Sequence, residues 1–100
     1  MTTDELYREI GMLVRSARER IGLTQHELAQ SVGLTRTSIS NLESGHQKIQ
    51  VHTLFNIAEA LDVSLDSLLP SNKSVSEKLV EHLKDLNEKE RNWVKRVLDG

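Results

Sequence analysis

Between Thr24 and Gly45 the chain carries start and stop signals so closely spaced that few folds can accommodate them. Thr24 with Glu27 three residues on is a capping-box pair that opens a helix, and Gly33 closes it. Thr35 opens a second helix, which ends at Gly45. Each interval holds only about two helical turns, and helices that short are stable only when packed. The first must bury Leu28, Ala29 and Val32, the second Ile39 and Leu42. Ala29 is small enough to let the two approach, and Gly33 supplies the positive-φ turn between them. What remains outward on the second helix is short and polar: Thr35, Arg36, Thr37, Ser40 and Asn41.

The flanking segments predict the core these two helices need. From about Asp4 to Ile21, the residues Leu6, Ile10, Leu13, Val14, Ala17 and Ile21 recur at spacings of three and four, one face of an amphipathic helix. Gly11 lies inside it and weakens it without forbidding it. Gly22, Gly33 and Gly45 each close an apolar segment as a C′ residue does. A fourth helix is expected over about Val51 to Leu61, with Leu54, Ile57, Ala58 and Leu61 inward. A last short helical turn over Val63 to Leu69, capped by Ser64, brings the expected number of helices to five. No run alternates β-branched with polar residues, so the chain reads as all-α.

Beyond Pro70 the composition shifts to Ser71-Asn72-Lys73-Ser74 and then to a charged stretch read as one or two further helices, about 75 to 86 and 88 to 98. Residues 1–70 thus form the expected domain and 71–100 a C-terminal helical appendage. Leu79, Leu83, Leu86, Trp93 and Val97 follow a four-three rhythm, interrupted at Glu90, that suits a dimer seam in preference to the alternative, packing of the tail onto its own domain.

Composition excludes several classes. With no cysteine among 100 residues there is neither a disulfide framework nor a thiolate metal site, and a cytoplasmic location is expected. No apolar run approaches the roughly 18 residues of a membrane span, and Met1-Thr2-Thr3-Asp4-Glu5 is acidic where a signal peptide is basic. His26-Glu27 lacks the second histidine of a zinc protease motif, Gln30 standing in its place. His26, His46, His52 and His82 show no ligand spacing, so no metal and no cofactor are expected. No grouping of an enzyme's catalytic residues emerges, and none is expected. The net charge of -2 argues against a polyanion binder, but it is a sum over unlike parts. Residues 11 to 50 hold Arg15, Arg18, Arg20, Arg36 and Lys48 against Glu19, Glu27 and Glu43, whereas 51 to 70 hold only Glu59, Asp62 and Asp66.

Leu23-Thr24-Gln25 with Glu27-Leu28-Ala29, then Ser38-Ile39-Ser40-Asn41-Leu42-Glu43-Ser44-Gly45, then Leu54 to Leu69 carry a resemblance that covers residues 15 to 69. This stretch resembles the lambda-repressor-like helix-turn-helix domain of the xenobiotic-response-element family of bacterial and phage regulators. The resemblance implies a five-helix DNA-binding fold and assigns roles by position. Thr35, Arg36, Thr37, Ser40 and Asn41 fall where bases are read. Arg36 is the strongest candidate among them, since a guanidinium can grip guanine O6 and N7 together. Gln25, Ser44, His46, Gln47 and Lys48 match positions that touch the DNA backbone, Gln25 also bracing the recognition helix. Arg18 and Glu43 match a partly buried ion pair. The loop His46-Gln47-Lys48-Ile49-Gln50 is less basic than is usual in the family and lacks its proline, which implies a shallow salt dependence.

The expected function is that of a sequence-specific regulator of transcription, a repressor that binds double-stranded DNA at an inverted repeat as a homodimer, associated with the nucleoid. With no sensory domain in view, control by dimer level or by a protein antagonist is expected over control by a small inducer. The size and tail also suit a restriction-modification controller or an antitoxin. A module that contacts proteins of a transcription complex without reading DNA is the alternative from another class.

Overall fold

The computed structural model describes residues 2–70, with single helical positions at 88 and 92. Four α-helices follow one another, α1 (Thr3–Arg20), α2 (Gln25–Val32), α3 (Arg36–Glu43) and α4 (Val51–Leu61), and among the described residues there is no strand. The expected fifth helix is a single 3-10 turn, Leu65–Leu68. Three residues per turn place Leu65 and Leu68 one above the other, and both are buried. Ser64 stands at the start of this turn, but its side chain makes no capping bond. The donor that a cap would serve is already met, since the Ser67 N–H bonds to the Ser64 carbonyl at 3.1 Å. Leu69, which precedes Pro70, is extended (φ -111°, ψ 142°), as the proline ring requires of its neighbour.

Local signals set the helix ends. Thr2, Thr24 and Thr35 each accept a hydrogen bond at their side-chain oxygen from a backbone N–H three residues on. At the other end all four helices close alike: the N–H of Leu23, Leu34, His46 and Val63 reaches back to the carbonyl five residues earlier. That closure needs a left-handed residue just before the donor. Gly22, Gly33 and Gly45 supply three of them with φ between 71° and 78°. Asp62 supplies the fourth at φ 55°, the one non-glycine with positive φ among the described residues.

The core sits between α1, α4 and the 3-10 turn on one side and the α2–α3 pair on the other. Leu6, Ile10 and Val14 of α1, Leu28 of α2, Ile39 and Leu42 of α3, and Leu54, Ile57 and Leu61 of α4 are all essentially sealed from solvent. Burying such a side chain stabilises the fold by roughly 1.5–3 kcal/mol. Of the expected α1 stripe, Leu13 is only half-buried and Ile21 is exposed. The helix ends at Arg20 and the chain turns away at Gly22, so Ile21 projects past the last layer of the core. Gly11 faces inward as well. A Cβ there would collide with the carbonyl oxygen of Leu42 and lie 2.6 Å from that of Glu43, so its absence is what lets α1 rest on the end of α3.

Candidate nucleic-acid interface

The α2–α3 corner is fixed at three points. At the start of α2, Thr24 Oγ1 accepts from the Glu27 N–H and Glu27 Oε1 accepts from the Thr24 N–H, both at 3.0 Å. The Thr24 backbone N–H, and after it the Thr24 hydroxyl, hold the Glu27 carboxyl below its usual value. At the turn, Gly33 is left-handed and the Leu34 N–H closes on the Ala29 carbonyl at 2.9 Å. At the start of α3, Thr35 Oγ1 accepts from the Ser38 N–H and donates to Ser38 Oγ, each at 3.0 Å.

Behind the corner lies a polar knot. Arg18 Nε and Nη2 donate to Glu43 Oε2 and Oε1 at 2.7 and 3.0 Å, a two-point pairing between α1 and α3. Arg18 Nη1 donates to the Leu23 carbonyl at 2.7 Å, and Gln25 Nε2 donates to Glu43 Oε1 at 3.1 Å. The two charged side chains are 9% and 2% exposed, so the pair is sealed from solvent screening. The Glu43 hydrogen bond, opposed by burial, pushes the Arg18 pKa further up from an already high value. Arg18 is therefore committed inward, and half-buried Gln25 ties α2 to α3.

With Ile39, Leu42 and Glu43 facing inward, α3 turns its other side out. Arg36, Thr37 and Asn41 are exposed, Ser40 is half-buried between them, and Ser44 continues the same face at the helix end. His46, Gln47 and Lys48 are exposed just beyond. Of the residues expected to touch DNA, Thr35, Arg36, Thr37, Asn41, Ser44, His46, Gln47 and Lys48 are thus exposed, while Ser40 and Gln25 are half-buried. Two of their hydroxyls already have local partners. Thr35 is the N-cap described above, and Ser44 Oγ donates to the Ser40 carbonyl at 2.8 Å. Leu79, Leu83, Leu86, Trp93 and Val97, expected at a dimer seam, lie outside the described residues, as does His82. Among the described residues no three histidine, aspartate or glutamate side chains converge as metal ligands, and no helix is long and apolar enough to cross a membrane.

Sequence reasoning read Gly11 only as a weakness in the first helix and did not single out Arg8 or Asp62. For Gly11 a signal existed: a glycine in the middle of an amphipathic helix conflicts with helix propensity and marks a close approach. Arg8 carried none, since it acquires its role from Gly45, which only the folded chain brings close; Asp62 acts locally, as the left-handed residue before Val63, but an aspartate does not mark such a turn as a glycine does.

Two short capped helices around a left-handed glycine, with a sealed inner face and a small-sided polar outer face, define a helix-turn-helix unit. The helix-turn-helix family model matches residues 14–68, and the chain belongs to that family, of the xenobiotic-response-element type. The transcriptional repressor RstR of the cryptic phage CTXphi, from Vibrio cholerae, is 30% identical over 88 residues, covering 83% of this chain and 78% of the repressor. An uncharacterised helix-turn-helix transcriptional regulator of Bacillus subtilis, YqaE, is 39% identical over 64 residues, 62% of this chain. The chain spans 55% of that relative's length. Among solved structures, the restriction-modification controller protein C.AhdI of Aeromonas hydrophila superposes with a TM-score of 0.61 at 28% identity, covering 63% of this chain and 91% of that one. The same fold also forms 36% of hydroxypropylphosphonic acid epoxidase from S. wedmorenis (TM-score 0.64, 25% identity, 68% of this chain). It is therefore the regulators among the relatives, and not the fold, that point away from an enzyme.

Proposed function

We propose that the protein is a sequence-specific transcriptional regulator that binds double-stranded DNA, acting as a repressor in the cytoplasm at the nucleoid. The observation that carries this is the outer face of α3: Arg36, Thr37, Ser40 and Asn41 present polar groups on a helix held at both ends and braced from behind by the Arg18–Glu43 pair. An α-helix with such a face fits the major groove. Arg36 grips a guanine, Asn41 an adenine, and Thr37 and Ser40 make single contacts. Thr35, its hydroxyl engaged in the cap, contributes a methyl against thymine. Gln25, Ser44, His46, Gln47 and Lys48 hold the flanking backbone.

A homodimer reading an inverted repeat places the two α3 helices about 34 Å apart, one turn of the duplex. The C-terminal appendage, 71–100, supplies the seam through Leu79, Leu83, Leu86, Trp93 and Val97, and a protein antagonist controls it. Likeness to a restriction-modification controller and to a phage repressor supports the same DNA-reading chemistry in either setting. The deciding experiment is selection of tight binders from a random duplex pool. A palindrome is the expected outcome, with Arg36→Ala weakening binding by about 1–3 kcal/mol and relaxing preference at one base pair. Unchanged binding for Arg36→Ala refutes its assignment. No retention on any duplex at any salt favours a protein-contact module instead.

A further inference from the structure

The described cations fall into two groups. Arg15 donates to Glu19 at 2.8 Å and Arg18 to Glu43, whereas Arg8, Arg20, Arg36 and Lys48 form no ion pair with a described carboxylate. Arg36 and Lys48 belong to the proposed DNA surface. Arg8 is brought to the same surface by α1. Asp4, Arg8, Gly11, Arg15 and Arg18 succeed one another at helical spacing, the stripe of α1 turned toward α3. Within that stripe Gly11 lies against the Leu42 and Glu43 carbonyls and Arg18 holds Glu43. The Arg8 stem lies against Gly45 so closely that a Cβ at Gly45 would be 2.5 Å from Arg8 Cγ. The result is an open concavity of about 460 Å³ lined by Asp4, Arg8, Ser44, Gly45 and His46. It begins where the exposed face of α3 ends, because Ser44 belongs to both.

We infer that this concavity seats one phosphate of the DNA backbone, with Arg8 as its charged contact, next to the bases that α3 reads. This rests on the DNA-binding reading above. The backbone N–H groups of Ser44, Gly45 and His46 are already bonded to the Ser40, Leu42 and Asn41 carbonyls, and the Ser44 hydroxyl donates to Ser40. Arg8 and the His46 ring are the lining groups left to donate. A guanidinium offers a fork of donors that matches phosphate oxygens in pairs. The Asp4 carboxylate, one helical turn from Arg8 on the same α1 stripe, repels an anion, so the site balances one attraction against one repulsion. Its open shape suits a phosphodiester carried on a continuous strand, not a free anion that must be enclosed to be retained.

The test uses the full chain, the selected duplex and a random duplex, with affinity measured across a salt series. Arg8→Gln keeps Cγ against Gly45 while removing the charge. The slope of log affinity against log salt should shrink by about 0.9, and binding at low salt should weaken several-fold on both duplexes alike. Asp4→Asn should tighten both. A slope unchanged in Arg8→Gln but reduced in Lys48→Ala overturns the inference and leaves the DNA reading standing, as does a loss confined to the selected sequence. Failure of the unaltered protein to bind either duplex overturns the DNA reading itself. If Arg8→Gln lowers the melting temperature, Arg8→Lys, which keeps stem and charge, must restore the slope; a slope that stays reduced refutes the role.

Discussion

Gly11→Ala sets two physical effects against each other and the structure decides the sign. Within a helix alanine is favoured over glycine by about 1 kcal/mol, so from the sequence alone the substitution should stabilise α1. In the fold, the new Cβ would stand 2.6 Å from the Glu43 carbonyl oxygen, 2.8 Å from its carbon, and closer still to the Leu42 oxygen. These are backbone atoms at the end of a helix and cannot swing aside as a side-chain tip can, so α1 must lift away from α3. Overpacking of this kind costs about 1–3 kcal/mol, and three backbone clashes place it at the upper end. Setting about 3 against about 1 leaves a net loss of about 2 kcal/mol. For a domain of this size that lowers the melting temperature by about 8–16 °C. Thermal unfolding followed by far-ultraviolet circular dichroism measures it, with exposed Ser16→Ala on the same helix as the control expected to hold or raise the melting point. A Gly11→Ala protein that melts at or above the unaltered one refutes the close approach of α1 to α3.

Three further outcomes follow from the same contacts. Arg18→Met leaves Glu43 buried without its cation and should cost about 3–5 kcal/mol in urea unfolding. Arg18→Met with Glu43→Leu should cost less than Arg18→Met alone, and an equal or larger loss would show that the charge was not the issue. Glu27, whose native pKa lies below its unfolded value, adds stability that is complete above the ordinary 4.5 and is lost as the pH falls below this through the depressed native value. Glu27→Gln, which still accepts from Thr24, should remove this part of the acid sensitivity; an unaltered pH profile counts against the capping box. Asp62→Gly relieves a left-handed non-glycine and removes a negative charge from the end of α4, each unfavourable there, and should raise the melting temperature. A fall in melting temperature would mean that the aspartate side chain holds the turn.

What could be read from the chain and what could not divides by range. Thr24, Glu27 and Thr35 act on N–H groups three residues away, so the starts of α2 and α3 were legible as residue types at fixed offsets. The glycine stops at Gly22, Gly33 and Gly45 were legible for the same reason. The bounds of α4, Val51–Leu61, follow from its apolar spacing, although its end is set by Asp62, which no local pattern marked. The polar outer face of α3 was legible because its apolar positions fix which side must be buried. The Arg18–Glu43 contact spans 25 residues and was suggested by family resemblance alone.

The sequence by itself determined where α2 and α3 begin and end and which side of each is apolar, because these depend on hydrogen bonds and spacings within one or two turns. Only the tertiary structure decided that Gly11 is a contact and not a weakness, that Gln25 and Arg18 converge on one carboxylate, and that Arg8 joins the end of α3. Each of these depends on how closely α1 settles against a helix more than twenty residues further on. That distance is set by the whole core at once, and no local pattern of residues encodes it.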